Sequence, residues 1–95
     1  MKSALTAAEI TKALQNHPRW KLIDGKLSRE WTFRNFVEAI SFVNRVAPIA
    51  EAAGHHPDID IRYNRVILSL VSHDAGGITQ RDVAMAAQLS DEFQE

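Results

Sequence analysis

The chain has 95 residues, 45% of them hydrophobic and 24% charged, with a formal net charge of -1. That balance suits one folded domain over 1–95 with a genuine core, small enough to gain from burying further surface in an oligomer. There is no cysteine, which excludes disulfides, thiolate metal sites and a cysteine nucleophile, and no basic run to bind nucleic acid.

The first residues, MKSALTAAEI, lack the apolar run of a signal peptide, and no stretch is apolar enough to span a bilayer, so a cytoplasmic location is expected. Thr6 with Glu9 reads as a capping box. Ile10, Ala13 and Leu14 follow at helical spacing until His17-Pro18 stops the helix. Asp24-Gly25 is a strong hairpin signal. Beyond it Leu27, Arg29, Trp31 and Phe33 alternate with Ser28, Glu30 and Thr32, as a half-buried strand does.

Asn35 and Glu38 cap a long helix, and Phe36, Ile40, Val43, Ala47 and Ala50 are expected to form its buried face. Pro48 is expected to kink it, and Gly54 suits the left-handed position past its end. Ile59, Ile61 and Tyr63 then alternate with Asp58, Asp60 and Arg62 in another strand. A turn at Asn64-Arg65 leads to Val66–Ser72, with Val66, Leu68 and Leu70 on one face and Ile67, Ser69, Val71 and His73 on the other. After the Ala75-Gly76-Gly77 loop, Thr79 to Asp82 cap a last helix carrying Val83, Ala86, Ala87 and Phe93 inward. The order helix, hairpin, helix, hairpin, helix predicts an α+β fold: a four-stranded antiparallel sheet with three helices packed on one face.

The unusual stretch is GHHPDIDIRY, residues 54–63. Histidine moves protons near neutral pH because its ordinary pKa is about 6.5. Near His55 and His56 the sequence offers Glu51 one helical turn earlier, His73 at the end of a strand and Asp82 in the first turn of the last helix. His56 precedes Pro57 and is driven into extended backbone, so the adjacent imidazoles diverge and need not share a role. Each residue also has a plain structural reading: Glu51 as a solvated helix residue, Asp82 as a cap, His73 as a strand-end residue, and the histidine pair as a helix stop. Zinc is the sharper rival, since three histidines and a carboxylate could ligate it. The helical His-x-x-x-His spacing that puts two imidazoles on one face is nevertheless absent. The residues alone therefore reach a proton-moving pocket without a substrate.

The spacing closely resembles the pterin-4a-carbinolamine dehydratase family. Glu51, AAG, His55-His56-Pro57, DIDIR, Tyr63, NRVILSLVS, His73 and Asp82 follow that family's motif in order, and the likeness covers nearly the whole chain. It implies the fold inferred above, assembled into a homodimer or homotetramer. It implies loss of water from a 4a-hydroxytetrahydropterin to give quinonoid dihydropterin, after an aromatic amino acid hydroxylase has used its reduced pterin. No metal or other cofactor is implied. His55 and His73 would be acid and base, and His56 would hold the pterin ring. Pro57 would fix the backbone, Glu51 and Asp82 would orient the imidazoles, and Tyr63 would complete the substrate-binding or supporting set. The same fold could alternatively serve as a non-catalytic pterin binder or a transcriptional coactivator.

Overall fold

The computed structural model describes residues 4–93. Its elements run α1 (Ala7–Leu14), β1 (Lys21–Ile23), β2 (Lys26–Thr32), α2 (Phe36–Ala53), β3 (Asp58–Arg62), β4 (Arg65–Leu70), a 3-10 turn (His73–Ala75) and α3 (Gln80–Glu92). The four strands form one antiparallel sheet in the order β1-β2-β4-β3. The α+β fold read from the sequence is the fold observed.

Local chemistry explains most of the boundaries. Thr6 and Glu9 close a reciprocal capping box on α1, and Thr79 and Asp82 do the same on α3. Asn35 accepts from the Glu38 amide at 2.9 Å to start α2. Asp24 and Gly25 both have positive φ, 51° and 77°, as a two-residue hairpin turn requires. The register pairs Leu27 with Leu70, Arg29 with Leu68 and Trp31 with Val66, so all six share the sheet face that meets the helices. Ser28 and Ser69 pair on the opposite face, with their hydroxyls 2.9 Å apart.

The core lies between that inner face and the helices. Ile10 of α1, Ala39, Phe42 and Val46 of α2, and Met85, Ala86 and Leu89 of α3 pack with Trp20, Leu27, Trp31, Val66, Leu68 and Leu70. Phe42 is a hub of the aromatic cluster, with ring centroids 4.9 Å from Trp31, 5.0 Å from Phe33 and 4.8 Å from Phe93. Such pairs each add about 0.5–1.5 kcal/mol beyond the area they bury. Arg29 is buried in this inward set because its guanidinium lies 4.1 Å from the centre of the Trp31 ring.

Several expectations need correction. The buried stripe of α2 is Ala39, Phe42, Val46 and Ala50, whereas Phe36 is 49% exposed and Ala47 is exposed. The helix has two apolar stripes at the same spacing, and packing on the sheet selects the one holding the large Phe42 ring. Ile40 and Val43 are only half-buried. The helix runs through Pro48, on its exposed side, to Ala53. The second hairpin turns at Tyr63-Asn64, one residue early, with Tyr63 at φ 53° and the Asn64 side chain donating to the Phe33 carbonyl at 2.8 Å. On α3, Met85 and Leu89 carry the inward face with Ala86, while Val83 and Ala87 are half-buried. His73 opens the 3-10 turn, since β4 has already ended at Leu70.

Gly54 sits at φ 64°, where an added Cβ meets nothing within 4 Å. Any penalty for a side chain there is therefore backbone strain alone. Gly54→Ala is expected to cost about 1–2 kcal/mol, the penalty of a left-handed residue bearing a Cβ. Urea unfolding would show it as a lower midpoint with an unchanged slope.

Candidate active site

The end of α2 is built to project histidines. The Gly54 amide bonds back to the carbonyls of Ala50 and Glu51, and the His55 amide reaches the Ala50 carbonyl at 3.2 Å. This Schellman arrangement closes the helix and turns the next residue out of its axis. Pro57 is buried, which holds the two histidines ahead of it at the start of β3.

From there the two imidazoles part. His55 is half-buried, its side chain 11% exposed, and its Nε2 lies 2.6 Å from Oδ1 of Asp82, which is fully buried. His56 faces outward and pairs with Glu51, Nε2 to Oε1 at 2.7 Å. The structure thus joins four of the residues singled out in the sequence as two separate His–carboxylate pairs, His55 with Asp82 and His56 with Glu51. Among the described residues, no cluster of three or more His, Cys, Asp or Glu could hold a metal ion.

The two pairs differ in what holds them. The Asp82 carboxylate accepts on Oδ2 from the Ser72 hydroxyl and from the Thr79 amide, each at 2.8 Å. Ser72 and Thr79 also share a hydroxyl–hydroxyl bond of 2.8 Å, and both are buried. Charge-assisted bonds of this kind are short and roughly twice as strong as neutral ones. They fix the carboxylate so that Oδ1 faces the His55 ring. Glu51 has no such frame: its side chain is 81% exposed and that of His56 61%. Exposed pairs contribute little, so Glu51→Gln is expected to change unfolding free energy by no more than about 0.5 kcal/mol in urea titration.

His73 is exposed in the 3-10 turn and follows Ser72 directly, one residue from the hydroxyl that binds Asp82. Arg81 pairs with Asp74 across that turn. Tyr63 is not brought here. It lies 67% exposed at the far end of β3, and the six steps of extended chain from Pro57 span roughly 20 Å.

Sequence reasoning missed Ser72 as a site residue and read Thr79 only as a cap. A signal was present: Ser72 continues the inward phase of Leu68 and Leu70, where a polar side chain needs a partner.

A histidine with one ring nitrogen on a fixed buried carboxylate can take or give a proton at its other nitrogen. The antiparallel sheet, its helical cover and this clamped imidazole define an α+β protein with the parts for acid–base chemistry. A family model described as pterin 4 alpha carbinolamine dehydratase matches residues 3–92. Proteins provisionally named pterin-4-alpha-carbinolamine dehydratase are similar throughout. One from Acidobacterium capsulatum is 55% identical, over 90% of this chain and 92% of its own. Another, from Chloroflexus aurantiacus, is 53% identical, over 92% and 94%. A crystal structure titled transcriptional coactivator/pterin dehydratase, from Brucella melitensis, superposes with a TM-score of 0.85 at 33% identity, covering 94% of this chain and 97% of that one. The chain belongs to the pterin-4a-carbinolamine dehydratase family, and as an enzyme it is placed among the dehydratases.

Proposed function

We propose that this protein, acting as a single domain, removes water from a 4a-hydroxytetrahydropterin to give the quinonoid dihydropterin. In the reaction the C4a–O bond breaks, the leaving hydroxyl takes a proton and departs as water, the N5 proton passes to a base, and a C4a=N5 double bond forms. One general acid and one general base suffice. The observation that carries the reading is the His55–Asp82 pair: a partly shielded imidazole held at 2.6 Å by a buried carboxylate.

In this reading His55 and His73 exchange the two protons with substrate. His56, more exposed and loosely held by Glu51, contacts the pterin ring, and Pro57 keeps the pair in place. Asp82 orients His55. No role is given to Tyr63. The product is what a pterin-dependent aromatic amino acid hydroxylase needs reduced again, which makes such an enzyme, in the cytoplasm, the natural functional partner. The exposed apolar residues Phe36 and Val37, with half-buried Ile40 beside them on α2, support self-association of copies into a dimer or tetramer.

The test is to generate 4a-hydroxytetrahydropterin and follow its dehydration by ultraviolet absorbance in chelator, with and without the protein. Acceleration above the spontaneous rate is the expected result. A folded protein that leaves the rate unchanged would sink the proposal and favour pterin binding without turnover.

A further inference from the structure

We propose that Ser72 is a positioning residue that sets the tautomer of His55 through Asp82, so that Nδ1 of His55 is the ring atom offered to substrate. The inference rests on the dehydratase reading for its catalytic meaning, but its structural content can be measured without substrate.

The argument follows the protons along one buried chain. An ionised carboxylate only accepts, so Ser72 must donate its hydroxyl proton to Oδ2 of Asp82, 2.8 Å away. The Ser72 oxygen is then an acceptor toward Thr79, whose Oγ1 lies at 2.8 Å and itself accepts from the Arg81 amide. The Thr79 amide supplies the second donor to Oδ2. With Oδ2 doubly occupied, Oδ1 is the oxygen left for the imidazole, and the 2.6 Å contact requires the proton to sit on His55 Nε2. The other ring nitrogen, Nδ1, is thereby free to accept or return a proton. Thr79 donates to Ser72 and Ser72 to Asp82, while His55 donates to the same carboxylate from the other side, so the donors converge on Asp82 and hold it in place.

Ser72 has a second tie. Its amide donates to the Gly77 carbonyl at 3.0 Å and its carbonyl accepts from the Gly77 amide at 3.3 Å. This bridge closes the loop that begins with His73. One buried residue therefore fixes His55 through its side chain and the base of the His73 turn through its backbone.

The experiment is nitrogen-15 NMR of the histidine rings in Ser72→Ala, Ser72→Thr and the unmodified protein. The His55 signals are assigned by their loss in His55→Gln. In the unmodified protein neutral His55 is expected as the Nε2–H tautomer, in Ser72→Ala as a mixture with Nδ1–H, and in Ser72→Thr, which keeps the hydroxyl, as Nε2–H again. In the dehydration assay Ser72→Ala is expected to lower kcat about tenfold with KM nearly unchanged, the lower end of what an outer partner of a working imidazole costs, because Ser72 acts on the ring only through Asp82. A ring spectrum indifferent to Ser72→Ala, or Nδ1–H in the unmodified protein, overturns the proposal. Should Ser72→Ala not fold, the tautomer of the unmodified protein and the graded effect of Ser72→Cys, a weaker donor, decide it. Absent turnover with an intact Ser72 effect on the ring would remove the dehydratase reading and leave the positioning role standing. Turnover with an unmoved ring would do the reverse.

Discussion

Alanine at His55 is expected to slow dehydration of the carbinolamine by about 10²–10⁴-fold, the range a positioned general acid or base supplies. Alanine at His73 should do the same with less structural consequence, because that side chain is exposed and makes none of the hydrogen bonds that fix Asp82. His55→Ala removes one partner from a buried carboxylate, a loss of about 1–3 kcal/mol, so its rate must be compared at matched folded fraction. Rates from absorbance, with circular dichroism on the same samples, check both. Two folded variants turning over at the unmodified rate would mean that neither imidazole handles the protons.

The second large effect is on stability. Asp82 is fully buried and is bonded to the Ser72 hydroxyl, the Thr79 amide and the His55 ring. Asp82→Ala leaves all of these without their acceptor and removes the capping box from α3. The expected loss is about 3–5 kcal/mol, as for other buried pairs broken from one side. In a domain of this size that lowers Tm by about 10 °C or more. Asp82→Asn keeps the volume and some of the bonds, so it should be more stable than Asp82→Ala while still losing activity, because an amide can present a donor to Nε2. Calorimetry on both variants checks the order. Equal Tm values for Asp82→Ala and the unmodified protein would show that the network carries little of the stability.

The contrast with Glu51 shows why burial matters more than distance. The two His–carboxylate contacts are nearly equal in length, 2.6 and 2.7 Å. Only the Asp82 pair is shielded from water and held by further donors, so only there does removal of the carboxylate leave unsatisfied groups in the interior.

Much of the architecture was legible because it is locally encoded. Thr6 and Glu9, Asn35 and Glu38, and Thr79 and Asp82 mark helix starts through bonds within four residues, and Asp24-Gly25 marks its turn through backbone sterics. The strand phases of Leu27 to Trp31 and of Val66 to Leu70 follow from alternation. What the sequence hides is decided at a distance. Helix α2 offers two apolar stripes, and only contact with the sheet and with Phe93 chooses Phe42 over Phe36.

The same division runs through the site. Spacing puts Glu51 one helical turn before His55, but the structure pairs it with His56, because the Gly54 turn sends the two imidazoles apart. The partnership of His55 with Asp82 spans 27 positions and depends on how α3 docks. The alternation from Leu68 and Leu70 points Ser72 inward, but only the docking of α3 shows that its partner there is Asp82. Tyr63, in phase with Ile59 and Ile61 on paper, lies six residues of chain beyond Pro57 and ends exposed in the hairpin turn.

The most direct test compares three samples in one assay: no protein, the unmodified protein, and the folded His55→Ala/His73→Ala double variant, each with 4a-hydroxytetrahydropterin in chelator. The account predicts that the unmodified protein speeds the loss of carbinolamine absorbance and that the double variant falls back to the spontaneous rate. Acceleration by both proteins, or by neither, would contradict it.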